Sequence, residues 1–282
     1  MLGLPPRLRG SGRALVLGVL NVTPDSFSDG GRYFAPDAAV MHGRTLREQG
    51  ADLVDVGGES TRPGAVRIEA HEELARVLPV VRGLVAADVA VSIDTMRAEV
   101  AVAAVAAGAA LVNDVSGGLA DPDMLTTVAG LGVPYVAMHW RGPSEHMTDL
   151  AHYDDVVGEV RHELSARLDA AVAAGIDPQR VVLDPGIGFA KHAEHDWALL
   201  ANLDALRSLG RPLLVGVSRK RFLGALLRDA DGVVPPPMAR DLATSVLSGM
   251  CAQAGVWGVR VHDVCGAREA VAVAAALTEA RA

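Results

Sequence analysis

The sequence predicts an α/β fold, a single (β/α)8 barrel, from its length, its composition and the alternation of its segments. The chain has 282 residues, and a barrel of eight strand-helix units typically needs about 250 residues. Half of the residues are apolar but only 4% are aromatic, so we expect a core of Val, Ala and Leu, which suits short parallel strands covered by helices. Two smaller domains would also fit this length, but the composition does not shift along the chain.

Eight short runs rich in β-branched residues alternate with longer segments of helical periodicity. This alternation is typical of repeated βα units around a parallel sheet. The predicted strands are residues 14–22, 52–56, 89–93, 110–115, 135–138, 181–183, 213–217 and 258–261. The clearest predicted helices are residues 36–49, 70–85, 154–174, 239–254 and 267–280. We therefore expect a TIM barrel over residues 14–282, preceded by an N-terminal tail of residues 1–13.

The chief alternative is a doubly wound open sheet that binds a nucleotide. Such a fold requires a G-x-G-x-x-G turn after the first strand, where this chain has Gly18-Val19-Leu20-Asn21. The nearest match in the chain, GIGFAK at 186–191, has Lys191 in place of the third glycine. The barrel is therefore the favoured fold.

Long loops follow the first and the second predicted strand, at residues 23–35 and 57–68. Both are rich in Gly, Pro, Ser and Asp, so we expect either mobile lids over a site or solvated connections. Residues 228–238 form a third, Pro-rich connection to which the sequence assigns no role.

Charge and cysteine content exclude several classes of protein. The net charge of -8 leaves no excess of cations to bind nucleic acid. The two cysteines, Cys251 and Cys265, form no C-x-x-C pair, so neither a disulfide scaffold nor a zinc site is indicated. No signal-peptide core and no apolar run of about 18 residues is present. We expect a cytoplasmic protein that binds neither nucleic acid nor a membrane.

Polar residues end every predicted strand. The carboxyl ends of barrel strands form the face that carries chemistry. Because unpaired buried polar groups cost about 1 to 3 kcal/mol each, such a cluster indicates a polar small-molecule site. Its members, in strand order, are Asn21, then Asp55 with Glu59, Asp94, Asn113 with Asp114, His139, Asp184, Ser218 with Arg219 and Lys220, and finally Arg260, His262 and Asp263.

Two kinds of chemistry separate within this set. The carboxylates of Asp94 and Asp184, with the amide of Asn113, suit a planar heterocycle that carries amidine-like donors. The residues at the ends of the eighth and first strands suit the binding of an anion.

The anion pocket is predicted where the barrel closes. Arg260 and His262 alternate along the eighth strand and so face one side, and Asn21 lies on the adjacent first strand. A phosphate site near the last two strands is frequent in barrels, so a phosphorylated substrate is indicated. Asn21 also offers a carbonyl oxygen to Mg²⁺, which takes few protein ligands.

Other polar groups have a structural interpretation. The acids Glu69, Glu72 and Glu73 match first-turn compensation of the dipole of the second helix. His192 and His195 lack a third metal ligand nearby, so a solvated helix face is favoured.

Seven motifs, in order, resemble the dihydropteroate synthases, the pterin-binding barrel enzymes of folate biosynthesis. They are NVTPDSFSDGG at 21–31, GGESTRPG at 57–64, SIDT at 92–95, NDVSGG at 113–118, DPGIGFAK at 184–191, SRK at 218–220 and RVHD at 260–263. The resemblance implies condensation of 6-hydroxymethyl-7,8-dihydropterin diphosphate with para-aminobenzoate, giving 7,8-dihydropteroate and pyrophosphate. It also implies Mg²⁺ and a homodimer built from the last helices.

The resemblance assigns roles to individual residues. The pterin-binding positions are Asp94, Asn113, Asp184 and Lys220. The diphosphate pocket is formed by Asn21, Arg260 and His262, and Asn21 is also the Mg²⁺ ligand. The residues implied to frame para-aminobenzoate are Phe27, Thr61, Arg62, Pro63, Phe189 and Ser218, beside Lys220. The implied catalytic residues are Asp29, near the developing cation, with Lys220, Arg260 and His262.

Two other functions fit a pterin-binding barrel. A methyltransferase acting on a methyl-folate would need neither a diphosphate pocket nor a para-aminobenzoate clamp, so the intact loops NVTPDSFSDGG and GGESTRPG speak against it. A non-catalytic paralogue would be expected to have lost some of Asn21, Asp184, Lys220 and Arg260, and all four are present.

Overall fold

A computed structural model of the protein describes residues 1–23, 36–62, 64–143 and 145–281. Parallel strands alternate with helices along these residues. The strands are β1 Leu15–Asn21, β2 Leu53–Gly57, β3 Val91–Asp94, β4 Leu111–Asp114, β5 Tyr135–Met138, β6 Val181–Asp184, β7 Leu214–Val215 and β8 Gly258–Val261. The helices are α1 Pro36–Glu48, α2 Ala70–Ala86, α3 Ala98–Ala106, α4 Met124–Leu131, α5 Val156–Ala173, α6 Ala193–Ala201, α7 Leu203–Arg207, α8 Arg221–Leu226, α9 Asp241–Gln253 and α10 Val264–Glu279.

The eight strands form one sheet that closes on itself. Their order is β6-β5-β4-β3-β2-β1-β8-β7. A bridge between Leu183 and Leu213 joins the two outer strands, where the Leu183 N–H also donates to the Pro212 carbonyl over 2.9 Å. The predicted (β/α)8 TIM barrel is thus confirmed, and the open doubly wound sheet is excluded.

Predicted and observed elements differ mainly at their ends. The seventh strand, predicted over 213–217, is reduced to Leu214–Val215. The last helix begins at Val264, three residues before the predicted start at 267, because Asp263 caps it by accepting the N–H of Gly266. A short polar residue at this position satisfies a free N–H of the first turn and so extends the helix.

An apolar layer fills the N-terminal half of the barrel. Its buried residues are Leu15, Leu17, Leu53, Ala90, Leu111, Val136, Val182 and Leu214, and Leu4 and Leu8 pack against them. The segment predicted to be a tail, residues 1–13, thus covers this end of the barrel, with a 3-10 turn at Pro6–Leu8. We call this apolar cluster the leucine layer.

A second apolar core lies between the strands and the helices, and consists largely of Val, Ala and Leu. This composition agrees with the low aromatic content of the chain. No helix in the described ranges combines the length and the apolarity needed to span a bilayer.

Candidate active site

Strand register places Asn21, Asp94 and Asn113 in one row. Cα partners run from Asn21 on β1 through Gly57 on β2 to Asp94 on β3 and Asn113 on β4. Partners on parallel strands face the same side of a sheet. Leu17, an even number of residues before Asn21, belongs to the leucine layer, and residues so spaced on a strand share a face. The row therefore faces the barrel interior at the carboxyl ends of the strands.

Arg260 and Asp184 join this interior layer from other strands. Arg260 is the register partner of Leu17, and Asp184 stands two residues after Val182, another member of the leucine layer. The partner of Asp184 is Met138 on β5. Above the leucine layer, the inner wall of the barrel is therefore predominantly polar.

The guanidinium group of Arg260 bonds two carboxylates across the barrel. Its Nε donates to Oδ2 of Asp55 over 2.5 Å, and its Nη2 donates to Oδ2 of Asp94 over 2.7 Å. The same Asp55 oxygen accepts the Nδ2–H of Asn113 over 3.1 Å. A residue predicted for the anion pocket thus directly contacts one predicted for the heterocycle, Asp94.

Burial shapes the charges of this group. It raises the pKa of Asp94 to about 7, with a further rise from the negative charge of Asp55 and an opposing effect of Arg260. Burial by itself would lower the pKa of Arg260, but the adjacent carboxylates of Asp55 and Asp94 raise it. Arg260 is therefore positively charged throughout the neutral range.

Asp184 ends β6 in a turn that requires glycine. Its Oδ1 accepts the N–H of Gly186 over 2.7 Å, as in an Asx turn. Gly186 has a φ of 64°, and a Cβ there would overlap the carbonyl oxygen of His139. Burial raises the pKa of Asp184, and the positive charge of Lys220 lowers it. The turn thus holds a buried carboxylate within electrostatic reach of Lys220.

Lys220 lies across the loop that follows β6. Its Nζ donates to the carbonyl of Ile187 and lies 4.9 Å from the centre of the Phe189 ring. Gly188 has a φ of 76°, and a Cβ there would approach Cδ of Lys220 to 2.9 Å. Burial lowers the pKa of Lys220 to about 8, against the effect of Asp184. The structure thus brings together Lys220 and Phe189 as predicted.

Ser218 holds the side chain of His262 in place. The Ser218 Oγ accepts the backbone N–H of His262 over 3.1 Å and lies 2.9 Å from Nδ1 of the same residue. A hydroxyl can donate to Nδ1 or accept a proton from it, and either bond holds the imidazole ring in place. Burial, followed by the charges of Arg260 and Arg219, lowers the pKa of His262 to about 3. His262 is thus a neutral imidazole in the neutral pH range.

The Pro-rich connection anchors residues 218–220. Arg219 has a φ of 60°, and its Nε and Nη2 both bond the carboxylate of Asp241 over 2.7 Å. Arg240 donates through Nη1 to the Arg219 carbonyl over 2.9 Å and through Nη2 to the Pro235 carbonyl over 2.8 Å. Residues 228–238, to which the sequence assigned no role, are thus tied to the backbone between Ser218 and Lys220.

Arg97 anchors the loop that follows β2. Its Nη1 bonds Oε2 of Glu59 over 2.8 Å and also pairs with Glu73, while Nη2 donates to the Ile68 carbonyl. Thr95 donates to the other oxygen of Glu73 over 2.6 Å. The two ends of the loop are therefore tied to the start of α3.

Glu73 has a role in addition to the one predicted from the sequence. It lies in the first turn of α2, as predicted for compensation of the helix dipole, and its fully buried carboxylate also belongs to this ion-pair network. Glu72, whose side chain is 48% exposed and pairs with Arg76, is compatible with that interpretation.

The outer part of the same loop carries Thr61 and Arg62. Thr61 is half-buried and Arg62 is exposed. The charge of Arg62 contributes to lowering the pKa of His262, so this loop lies near the predicted diphosphate pocket. Phe27, Asp29 and Pro63 fall outside the described residues.

Two polar residues at strand ends face away from the barrel interior. Asp114 accepts hydrogen bonds from Ser116, Gly118 and the Tyr135 hydroxyl, so it stabilises the turn after β4. His139 has its Nε2 2.9 Å from Oε2 of Glu163 on α5. Both were counted in the predicted strand-end cluster, but they follow the inward-facing Asn113 and Met138 and so point to the other side of the sheet.

Two buried residues of the site, Asp55 and Lys191, had no role assigned from the sequence. Asp55 was noted at a strand end, but nothing in the sequence identified its two partners. Lys191 donates to Nδ1 of His139 and to the carbonyls of Gly186 and Phe189, over 2.9 to 3.1 Å. A lysine inside an otherwise apolar and glycine-rich motif was the available signal for this role.

A family model described as pterin binding enzyme matches residues 17–262. The chain belongs to this family. Within it, the dihydropteroate synthase of Mycobacterium leprae is 56% identical over 262 residues, which cover 93% of this chain and 92% of that relative. The resemblance stated from the motifs is thereby confirmed.

Solved structures of the pterin-binding enzymes agree with this chain in fold. Dihydropteroate synthase of Xanthomonas albilineans with 4-aminobenzoic acid has a TM-score of 0.87 and 47% identity, over 94% of this chain and 93% of that one. The same organism's enzyme in complex with 7,8-dihydropteroate has a TM-score of 0.85 and 43% identity, over 98% of both chains.

Proposed function

We propose that this pterin-binding enzyme condenses 6-hydroxymethyl-7,8-dihydropterin diphosphate with para-aminobenzoate to give 7,8-dihydropteroate and pyrophosphate. The names of its relatives and the ligands of its structural neighbours support this reaction. The observation that carries the proposal is the inner wall above the leucine layer. There, carboxylate and amide groups that suit a pterin adjoin cationic and N–H donors that suit a diphosphate.

The pterin is bound by the carboxylate and amide side of the wall. The N–H groups of its amidine-like edge donate to Asp184, and Asn113 and Asp94 bind the remaining polar atoms of the heterocycle. Lys220, close enough to Asp184 to lower its pKa, donates to the pterin from the side of Phe189. Charge-assisted hydrogen bonds of this kind are about twice as strong as neutral ones.

The diphosphate is bound by Arg260, the imidazole of His262 and Asn21. In the reaction the bond between the pterin methylene carbon and the diphosphate oxygen breaks, and its electron pair leaves with pyrophosphate. Donors fixed where this charge develops stabilise the transition state. The resulting cation is attacked by the aniline nitrogen, which then loses a proton.

Mg²⁺ is the proposed metal, with Asn21 as its protein ligand. Asn21 faces the barrel interior in the row that continues to Asp94, and a side-chain carbonyl oxygen suits this ion. The described residues contain no group of three or more His, Cys, Asp or Glu that would hold a metal, so substrate oxygens and water would complete its shell. When bound, Mg²⁺ would neutralise part of the leaving group's charge.

Para-aminobenzoate is proposed to bind between the loop after β2 and the loop after β6. Thr61 and Arg62 come from the first, Phe189 from the second, and Ser218 and Lys220 lie beside them. An aniline is a weak nucleophile that needs positioning more than deprotonation, so no dedicated general base is assigned. The roles given to Phe27, Asp29 and Pro63 stay predictions, since these residues lie outside the described part of the chain.

Pyrophosphate release tests the proposed reaction. We expect release from Mg²⁺-supplied protein only when both substrates are present.

The Asp184→Asn variant should bind the pterin more weakly by roughly 2 to 4 kcal/mol, because a buried charge-assisted pair is lost. Calorimetry with the pterin measures this difference. No release from folded protein would refute the reaction, and unchanged pterin affinity in Asp184→Asn would refute the assigned anchor.

A homodimer is proposed from the exposed apolar residues of α9 and α10. Leu242, Val246 and Met250 are 79%, 55% and 60% exposed and share one face of α9 at helical spacing. Val273 and Leu277 on the neighbouring α10 are 61% and 47% exposed. An exposed apolar patch of this kind commonly marks an interface, and a second copy is the occupant that the motif resemblance implies. The cytoplasmic location stays a prediction from the sequence.

A further inference from the structure

Asp55 lies at the floor of the site, one inward position below Asp94. On β2, Asp55 is the register partner of Ser92, and Gly57, two residues on, is the partner of Asp94. Asp55 is fully buried, whereas Asp94 is 9% exposed. The Asp55 carboxylate therefore sits beneath the row of side chains that faces the barrel mouth.

One oxygen of Asp55 holds two residues that have different proposed roles. Its Oδ2 accepts from Nε of Arg260 and from Nδ2 of Asn113, over 2.5 Å and 3.1 Å. These donors come from β8 and β4, with one strand between each of them and β2. This one oxygen atom on β2 therefore orients both Arg260, which is proposed to bind the diphosphate, and Asn113, which is proposed to bind the pterin.

The charges explain why Arg260 has two carboxylate partners. The second oxygen of Asp55, Oδ1, has no hydrogen-bond partner among the described residues, so Arg260 supplies the charge that offsets this buried carboxylate. Burying a carboxylate without a compensating cation is costly. Arg260 is shared with Asp94 over 2.7 Å. When a ligand's donors occupy Asp94, Asp55 still holds the guanidinium group.

We propose that Asp55 is a positioning residue that keeps Arg260 and Asn113 in their working orientations, including when substrate takes over Asp94. This inference rests on the proposed function. It makes Asp55 important for leaving-group departure although its buried carboxylate lies below the substrate-facing row. Asp55→Asn keeps the shape but removes the charge, so the guanidinium would turn towards Asp94 and compete with the pterin.

The Asp55→Asn variant tests the role in the active protein. We expect kcat/KM for the pterin diphosphate to fall on the order of 100-fold, since small displacements of reacting groups have effects of this size, with KM for para-aminobenzoate little changed. In an Arg260→Lys background, adding Asp55→Asn should lower kcat/KM by clearly less than it does in the unsubstituted protein, because the part that acts through Arg260 is already lost and only the part that acts through Asn113 remains.

Asp52→Asn is the matched control. Asp52 lies just before the same strand and bonds Arg13 through both oxygens, over 2.7 Å and 2.8 Å, at the opposite end of the barrel. The Asp52→Asn variant should have a lower melting temperature but an unchanged kcat/KM. If Asp55→Asn behaves like Asp52→Asn, or if its effect persists in full in the Arg260→Lys background, Asp55 is structural only and the inference is wrong.

A binding measurement separates this inference from the proposed reaction. Lack of turnover by the unsubstituted protein refutes the reaction. Calorimetry with inorganic pyrophosphate and Mg²⁺ then still tests Asp55, and we expect binding by Asp55→Asn to be about 10-fold weaker than by the unsubstituted protein. Equal affinities, or no pyrophosphate binding by the unsubstituted protein, overturn the inference.

Discussion

The ammonium group of Lys220 lies in an environment that favours the loss of its proton. Burial lowers its pKa to about 8, and the carboxylates of Asp184 and Asp196 act in the opposite direction. The group is charged below that pH and loses its proton above it, well before a solvated lysine would. Its proposed hydrogen bond to the pterin therefore changes character within the range in which enzymes are assayed.

A pH profile of kcat/KM for the pterin diphosphate should show this change. We expect a fall of about tenfold per pH unit above pH 8, because kcat/KM reports the pKa of groups in the free enzyme. Lys220→Arg should have lower activity but no such fall up to about pH 10, since arginine stays protonated. A Lys220→Arg profile that falls as steeply as that of the unsubstituted protein would show that another group titrates.

Single residues show what the sequence could and could not predict. Alternation along strands and the polar strand ends were enough to identify Asn21, Asp94 and Asn113 as candidates, and their shared row agrees. The hydrogen bond between Arg260 and Asp55 was not predictable from the sequence. The two residues are 205 positions apart, and only the closure of the barrel makes them neighbours. The ion pair of Glu73 was not predicted for the same reason, as its partners Arg97 and Thr95 lie beyond the end of its own helix.

At the scale of elements, the loop after β2 combines a fixed base with an outer part that carries Thr61 and Arg62. The base is an ion-pair network in which the side chains of Glu73, Glu59 and Arg97 are 1%, 8% and 15% exposed. Breaking a buried pair by removal of one partner leaves an uncompensated charge. The network therefore affects both stability and the position of the loop.

Replacement of Arg97 by Met should separate these two effects. We expect the free energy of unfolding to fall by about 3 to 5 kcal/mol and KM for para-aminobenzoate to rise more than KM for the pterin diphosphate. Chemical denaturation and steady-state kinetics measure the two. Adding Glu73→Gln should restore part of the stability, because it removes one of the stranded charges.

Arg207→Met is the control for loss of an arginine on the surface. Arg207 pairs with Asp204 at side-chain exposures of 44% and 87%, and such pairs contribute about 0 to 1 kcal/mol. It should therefore leave both stability and kinetics nearly unchanged. Equal rises of both KM values in Arg97→Met would mean that the network does not position this loop in particular.

At the scale of the whole molecule, the proposed dimer depends on one face of α9. Leu242→Glu together with Val246→Glu should give a particle of one chain, 29.3 kDa, by analytical ultracentrifugation, because charges in an apolar interface are costly to desolvate. The unsubstituted protein should sediment at twice that mass. Met41→Lys, at a residue that is 68% exposed on α1, should not alter the mass. An unsubstituted protein of single-chain mass would refute the dimer.

The N-terminal cover of the barrel has a consequence for the order of folding. Leu4 and Leu8 are synthesised long before Val182 and Leu214, which belong to the same cluster. Contacts between residues so distant in sequence form slowly. Until the seventh strand has been made, these leucines must remain exposed or be held by a chaperone. The burial of Leu4 and Leu8 is therefore a signal, readable by protease protection during translation, that the barrel has closed.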